Sequence, residues 1–463
     1  NGVWWTDDLP TSSRVLFQDC HLGRDGVILL EQNTASATWT GGEGTFCGYN
    51  GHVYLKTTDA GNPNDRIYRS TFGYRFDISR SRHIVFKNCC FYNRKFESTD
   101  AETITDIPLP QYITWDGTEM TYGVEHYTIM MEIHEGCHNW TVKNCTIQYG
   151  GNGVYTVTSA GTQADNLTVE NCTIRHMGYG PWPNGDSHAI GCQGGDNMRF
   201  VRNYIEEVGT AICMWTGTGR TSRDNIVAYN FVKGARVIDG GMGCGINPSQ
   251  NWNADNTHEH GHWTGLEIHH NILMDIDGRG ITPSWPDEAL IYNNLVLDSQ
   301  DAFSGWGKWL GPYWRGRNNI AQGPDERMIE FTNAHGTSDW TLDWDYNLYC
   351  PAGSGDFYHA AYGLYDLAGW QAATGRDAHA LSAQPLYHTP DPDEPAEFYP
   401  AWNSPVIDAG DPDDATYALD FGGNPVYGAP DIGPWEYQPP YTMGTDAIDA
   451  AAEVRVYADG TFR

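Results

Sequence analysis

The segments TVKNCTI (141–147) and TVENCTI (168–174) are nearly the same phrase, spaced 27 residues apart. Related phrases run along the chain: VFKNCCF from 85, FVRNYIE from 200, VAYNFVK from 227, EIHHNIL from 267, LIYNNLV from 290, RGRNNIA from 315 and DWDYNLY from 343. Each reads as a short alternating strand with an asparagine near its centre. Taking Asn88, Asn144, Asn171, Asn203, Asn230, Asn271, Asn294, Asn319 and Asn347 as anchors, most intervals fall between 23 and 32 residues. Longer gaps after Asn88 and Asn230 mark inserted loops.

A period in the twenties, with strand alternation and Gly/Asn turns, is what a solenoid requires, because each coil buries its inner face only on its neighbours. Asparagine at one bend of every coil can stack as an amide ladder along the axis. The expected fold is all-β, a right-handed parallel β-helix of roughly ten to twelve coils. Cys89, Cys145 and Cys172 follow ladder asparagines and should stack inside as small buried hydrophobes. The Asn-x-Thr matches at Asn139, Asn144, Asn166 and Asn171 resemble glycan acceptors, but Asn144 and Asn171 are ladder positions and are expected to be buried.

The 463 residues carry 27 Lys+Arg against 59 Asp+Glu, a net charge of −32, which repels nucleic acid and anionic membranes. No apolar run is long enough to span a bilayer. A start at Asn1 rather than Met fits a processed, exported product. The 11 cysteines include no CxxC pair with zinc spacing.

The ladder strands, together with LYDLAGWQAATGRDAHALSAQPLY (364–387), SPVIDAGDP (404–412) and DFGGNPVYGAPDIGPWEYQ (420–438), resemble bacterial secreted right-handed parallel β-helix repeat proteins. NGVWWTDDLP followed by HVYLKT is similar to the start of such helices. The resemblance implies an extracellular or cell-surface location and similarity to carbohydrate-active β-helix families, both glycoside hydrolases and polysaccharide lyases. It does not select one activity, which must be argued from a site.

A second strand follows each asparagine strand and aligns on Val154, Ile190, Ile212, Ile246 and Ile281. Alternation aims these residues inward and the preceding Gly153, Ala189, Ala211, Gly245 and Gly280 outward, a column of small residues that predicts a trough. Its walls would be Tyr155, His188, Gln193, Trp215, Asn247, Arg279, Thr282 and Ser284, with Trp285, Trp306 and Lys308 close by. Aromatic faces there would stack on sugar rings while amides and Arg bond hydroxyls. The glycines of NGDSHAIGCQGGD (184–196) are then solenoid geometry, with Asp186 and His188 facing the trough. No helix follows them to make a phosphate cradle.

Carboxylates on adjacent or next-adjacent coils meet the spacing glycoside hydrolysis needs, and Asp186 with Asp239 is the first choice, Glu207 the next. Calcium-assisted elimination on a uronate-containing glycan ranks second, with His188, Arg279 or Lys308 as base or neutralising cation and Ca²⁺ on the same carboxylates. His258, His260 and His262 alternate in NADNTHEHGHWTGLEIHHN (253–271) and form a candidate transition-metal set, although their loop equally suits solvated histidines. A third reading is a non-catalytic glycan-binding or filament-forming surface protein, which would associate with copies of itself. The expected partner is a polysaccharide or oligosaccharide. Residues 1–350 read as the solenoid, 351–438 as a C-terminal cap with a short helix in YGLYDLAGWQAAT, and 439–463 as a linker and terminal strand.

Overall fold

The computed structural model describes residues 83–438 apart from 93–95, 98–110, 122–128, 135, 158–162, 179–186, 217–220, 239–240, 251–261, 284–287, 308–312, 334–340, 354, 361 and 414–417, together with seven strands between Val3 and Asp77. The described residues form a right-handed parallel β-helix with three faces. The first face is a ten-stranded parallel sheet running from Val85–Lys87 to Thr341–Asp345. The second and third faces merge into one sheet because Ile272–Ile281 and Leu295–Gly307 turn the corner without a break. Earlier strands such as Val3–Thr6 and His52–Lys56 pair antiparallel, Val27–Glu31 and Thr45–Tyr49 pair parallel, and Tyr68–Phe72 joins the parallel stack at Cys90–Tyr92.

Register follows the apolar columns. Trp115, Val142, Val169, Phe200, Val227 and Ile268 stack inside the first face. Met120, Ile147, Ile174, Ile205, Val232 and Leu273 stack inside the second. Met131, Val154, Ile190, Ile212, Ile246, Ile281, Phe303 and Ile329 stack inside the third. All are buried, in one continuous core. β-Branched and aromatic side chains suit this packing, because each lies flat on its counterpart one rung away.

The amide ladder is present, with a register different from that expected at its N-terminal end. Asn203, Asn230, Asn271, Asn294, Asn319 and Asn347 are buried, and each Oδ1 from Asn230 onward accepts both the N–H and the Nδ2 of its predecessor at 2.9–3.1 Å. Asp377 closes the series by accepting from Asn347 Nδ2 at 3.0 Å. Toward the N-terminus the same interior position is filled by Cys172 and Cys145, and Cys172 N–H donates to Asn203 Oδ1 at 3.0 Å. Both are thiols outside any disulfide.

Asn144 and Asn171 lie one residue earlier, exposed on the corner, with φ of 54° and 52°. Asn171 Nδ2 donates to Asn144 Oδ1 at 2.7 Å, making a separate outer ladder. The expected burial of these two glycan-acceptor matches is therefore corrected. Asparagine recurs at both positions for different reasons: inside for its amide, on the corner because it tolerates the left-handed backbone.

The helix expected in YGLYDLAGWQAAT is Leu367–Thr374, capped by Asp366 and ended by Gly375 in the left-handed conformation. Its Trp370 is fully buried over the end of the core, beside Phe357. The segment that follows does not stay at that end. It runs back along the outside of the second face, where Phe398, Val406 and Ile432 cover an outward apolar column of Phe231, Ile272, Leu295, Ile320 and Leu348.

Asn271→Ala removes the acceptor for two buried N–H groups of Asn230, and should cost about 2–5 kcal/mol, read as a lower urea midpoint. Asn144→Ala, which places alanine in a left-handed corner at the surface, should cost about 1–2 kcal/mol.

Candidate functional site

The outer side of the third face carries the densest polar chemistry among the described residues outside the returning segment. Its strands hold two side-chain columns that pass from rung to rung in register. One contains Tyr155, Gly191, Cys213, Asn247, Thr282, Ser304, Glu330 and Tyr358. The other contains Arg279, Asp301 and Arg327.

The small residues of the first column, between Tyr155 and Glu330, are the narrow strip that the sequence placed two positions earlier. Gly153, Ala189, Ala211, Gly245 and Gly280 do not line a trough: all five are buried. A Cβ on Gly153 would collide with the Ala189 carbonyl and reach Ile174 at 3.2 Å, and one on Gly245 or Gly280 would strike Leu273 or Val296 of the core. Strict alternation fails where the chain turns from the second face to the third, so two consecutive residues point inward there. Gly191 has the opposite role, since the ring of Tyr155 lies over the space a side chain would fill.

At the N-terminal end of this face His188, Tyr155 and Trp215 form an aromatic group. The His188 and Trp215 rings meet edge to face at 4.8 Å, and Tyr155 lies 5.8 Å from Trp215. Gln193 Nε2 donates to the Tyr155 hydroxyl at 2.9 Å. Asn152 Oδ1 accepts the His188 backbone N–H at 2.7 Å and lies 3.1 Å from Nδ1. An oxygen already accepting one hydrogen assigns the ring proton to Nδ1 and leaves Nε2 as the basic nitrogen. Glu132 and His134, on the rung preceding Tyr155, pair at 3.3 Å.

Two to four rungs beyond Trp215 is a charged centre. Arg279 Nε donates to Asp301 Oδ2 at 3.3 Å, and its Nη2 lies 3.6 Å from Glu330 Oε2. Arg327 pairs with Glu330 from the other side and lies 4.9 Å over the Tyr358 ring. Asp301 is 1% exposed, and its Oδ1 has no hydrogen-bond partner among the described residues. Burial, followed by the hydrogen bond and negative charge of Glu330, pushes its carboxyl up to about 7 against the opposing pull of Arg279. A buried carboxyl that keeps its proton near neutrality beside a second carboxyl paired with arginines is an arrangement that acid–base chemistry uses.

Of the residues singled out in the sequence, His188, Gln193, Trp215, Asn247 and Arg279 come together on this face. Glu207 does not: it lies in the second-face strand Tyr204–Val208, held by Arg236 at 2.8 and 3.3 Å. The same guanidinium binds Asp275 and Asp277, which explains these carboxylates as clamp partners. Asp186, Asp239, Trp285, Lys308, His258 and His260 lie outside the described residues, as do the side chains of Trp306 and His262. Among the described residues no group of three or more His, Cys, Asp or Glu converges to hold a metal ion, and no helix is long and apolar enough to cross a membrane.

The sequence reading missed Asp301, Arg327 and Glu330. The signal was present, because continuing the apolar alignment from Ile281 to Phe303 and Ile329 places Asp301 and Arg327 at the Arg279 position.

Residues 133–296 match the family model for a right handed beta helix region. The described fold is the right-handed β-helix of that model, an architecture common among polysaccharide-degrading enzymes. No curated protein matches it.

Asp301→Asn removes the carboxyl of this pair that burial pushes up to about 7. A proton released near neutral pH by the intact protein should vanish in this variant, as potentiometric titration or carboxyl NMR would record.

Proposed function

We propose that the protein is an extracellular polysaccharide-degrading enzyme, a glycoside hydrolase whose reacting carboxylates are Asp301 and Glu330. The observation that carries this reading is the pair itself: two carboxyl groups on adjacent rungs, one buried with its carboxyl pushed up to about 7, the other paired with two arginines. Both carboxyl groups touch the Arg279 guanidinium, which holds them side by side.

Protonated Asp301 gives its proton to the leaving glycosidic oxygen while a Glu330 oxygen bonds to the anomeric carbon. Water then attacks that carbon, Asp301 takes back a proton, and Glu330 is released. Arg279 and Arg327 hold Glu330 in position for attack, and Tyr358 stands beside it as a ring for sugar packing. Tyr155, Gln193, Asn247 and Trp215 extend the binding surface along the same face, and Trp285, Trp306 and Lys308 are assigned to it from the sequence alone. Asp186 and Asp239 are the alternative carboxylates from the same source.

A second reading, elimination on a uronate-containing glycan, draws on the fixed His188 tautomer: Nε2 is a base, and a cation such as Ca²⁺ would neutralise the sugar carboxylate.

A screen of neutral and uronate-containing polysaccharides, with and without EDTA, separates these readings. Reducing ends without ultraviolet absorbance from an unsaturated product support hydrolysis, and an unsaturated product that EDTA suppresses replaces it with calcium-assisted elimination. Glu330→Gln should lower turnover by roughly 10²–10⁴-fold with the thermal midpoint within a few degrees, whereas Asp186→Asn should leave most activity. The reverse order moves the centre to the His188 end.

Hydrolysis needs Asp301 protonated, so kcat/KM should fall as pH rises through about 7. Arg279→Gln removes the cation that opposes this protonation, and should shift that falling limb to higher pH in a pH–rate profile.

A further inference from the structure

The outward positions of the second face form two columns, and the returning segment covers them unequally. The column from Phe231 to Leu348 is packed under Phe398, Val406 and Ile432. The neighbouring column runs through Lys233, Met274, Leu297, Gln322 and Cys350. Between this column and residues 384–393 lies a cavity of about 720 Å³. Its volume is in the range of sites that take small molecules or short oligomers, and it belongs to a different face from Asp301 and Glu330.

Met274 and Leu297 give the cavity an apolar floor, and Pro385, Pro390 and Pro392 add apolar walls. Its polar groups are of two kinds. The Tyr387 hydroxyl donates to Gln322 Oε1 at 2.9 Å, and the Cys350 thiol donates to Gln384 Oε1 at 2.9 Å. With both amide oxygens engaged, Gln322 and Gln384 present their NH₂ groups, which only donate. Asp298 and Asp391 line the same space as acceptors, while Asp393 is paired with Lys233 at 2.6 Å.

Donors and acceptors set around an apolar floor match a polyol. A sugar hydroxyl both donates and accepts, and the C–H face of a pyranose ring packs on apolar side chains. An anionic ligand would meet Asp298 and Asp391 in a chain of net charge −32. An organic cation would pair with the carboxylates but leave both amide donors without acceptors. Trp402 points to the same chemistry. Its ring is 78% exposed, more than any other large apolar side chain among the described residues. The Ala401 N–H donates to the Leu386 carbonyl at 2.8 Å, and the Leu386 N–H donates to Ser404 Oγ at 3.1 Å. Leu386 is part of the cavity wall, so these two bonds seat Trp402 beside it, where an aromatic platform serves a sugar ring.

We infer that this cavity, with Trp402 at its edge, is a second saccharide-binding site, which holds a neutral glycan away from the third face. It performs no chemistry and does not rest on the hydrolytic reading. Its effect is to keep a polymer on the protein while another stretch of the same polymer reaches the third face.

Isothermal titration of the full chain carrying Glu330→Gln tests this, with cellohexaose, mannohexaose, xylohexaose and maltohexaose as probes. At least one neutral hexaose should bind, and binding should persist when Trp215→Ala is added to remove the tryptophan of the third face. Trp402→Ala and Asp391→Ala, both at exposed positions, should each weaken that remaining binding by about fivefold or more, with the thermal midpoint within a few degrees. Hexagalacturonate and putrescine should not compete. Failure of all four hexaoses to bind, loss of all binding on Trp215→Ala, affinity unchanged by Trp402→Ala and Asp391→Ala, or competition by the uronate or the diamine would each overturn the second site. The hydrolytic reading fails separately: an absence of reducing ends from the unsubstituted protein removes that reading and leaves this one standing, whereas reducing ends with binding insensitive to Trp402 and Asp391 remove the second site alone.

Discussion

The doubly accepting amide oxygen of the buried ladder fixes this fold. Each ladder Oδ1 from Asn230 to Asn347 takes a backbone N–H and a side-chain N–H from the same preceding asparagine. Side chain and backbone of one rung are thereby tied to a single atom of the next. A shift of one residue would break both bonds and also turn the apolar columns outward, so the two penalties reinforce each other. Each column described above, including the one that brings Asp301 beside Arg279, inherits its alignment from that restriction.

The same register divides the surface. On the second face the outward positions are as apolar as the inward ones from Phe231 to Leu348, so that face must be covered, and the returning segment covers it. Ion and amide contacts then fix its position. Arg317 binds Asp411 at 3.1 Å, and Asn293 Nδ2 donates to the Gly433 carbonyl at 2.9 Å. The third face has polar outward columns instead. It is where the described chain gathers an aromatic group and a protonated carboxyl on one surface.

Fold class was legible because the repeat writes its period directly in residues such as Asn203, Asn230 and Asn271. What sequence pattern could not resolve was a choice of one position. NC in 144–145 and NN in 293–294 look alike as phrases, yet Asn144 is an exposed corner and Asn294 is interior, because both sites favour asparagine for unrelated reasons. The corner between the second and third faces hid a similar ambiguity. Period-two reasoning aimed Gly153 and Gly245 outward, but a bend interrupts the period and buries them. The trough was thus displaced by two residues, while His188, Trp215 and Arg279 were still assigned to the correct face. Asp301 escaped notice because its significance lies in burial beside Glu330, which composition does not reveal.

Electrostatics narrows the chemistry further. In a chain of net charge −32 the described arginines on the faces act as clamps: Arg236 on three carboxylates, Arg317 on two, Arg279 on Asp301 and Glu330. An anionic glycan approaching Arg279 would compete with two carboxylates already in place and would meet the repulsion of the whole surface. A neutral glycan meets neither cost, and its hydroxyls can bond the same carboxylates and guanidinium without displacing either. For the centre at Asp301 and Glu330, charge and geometry therefore favour the same substrate class.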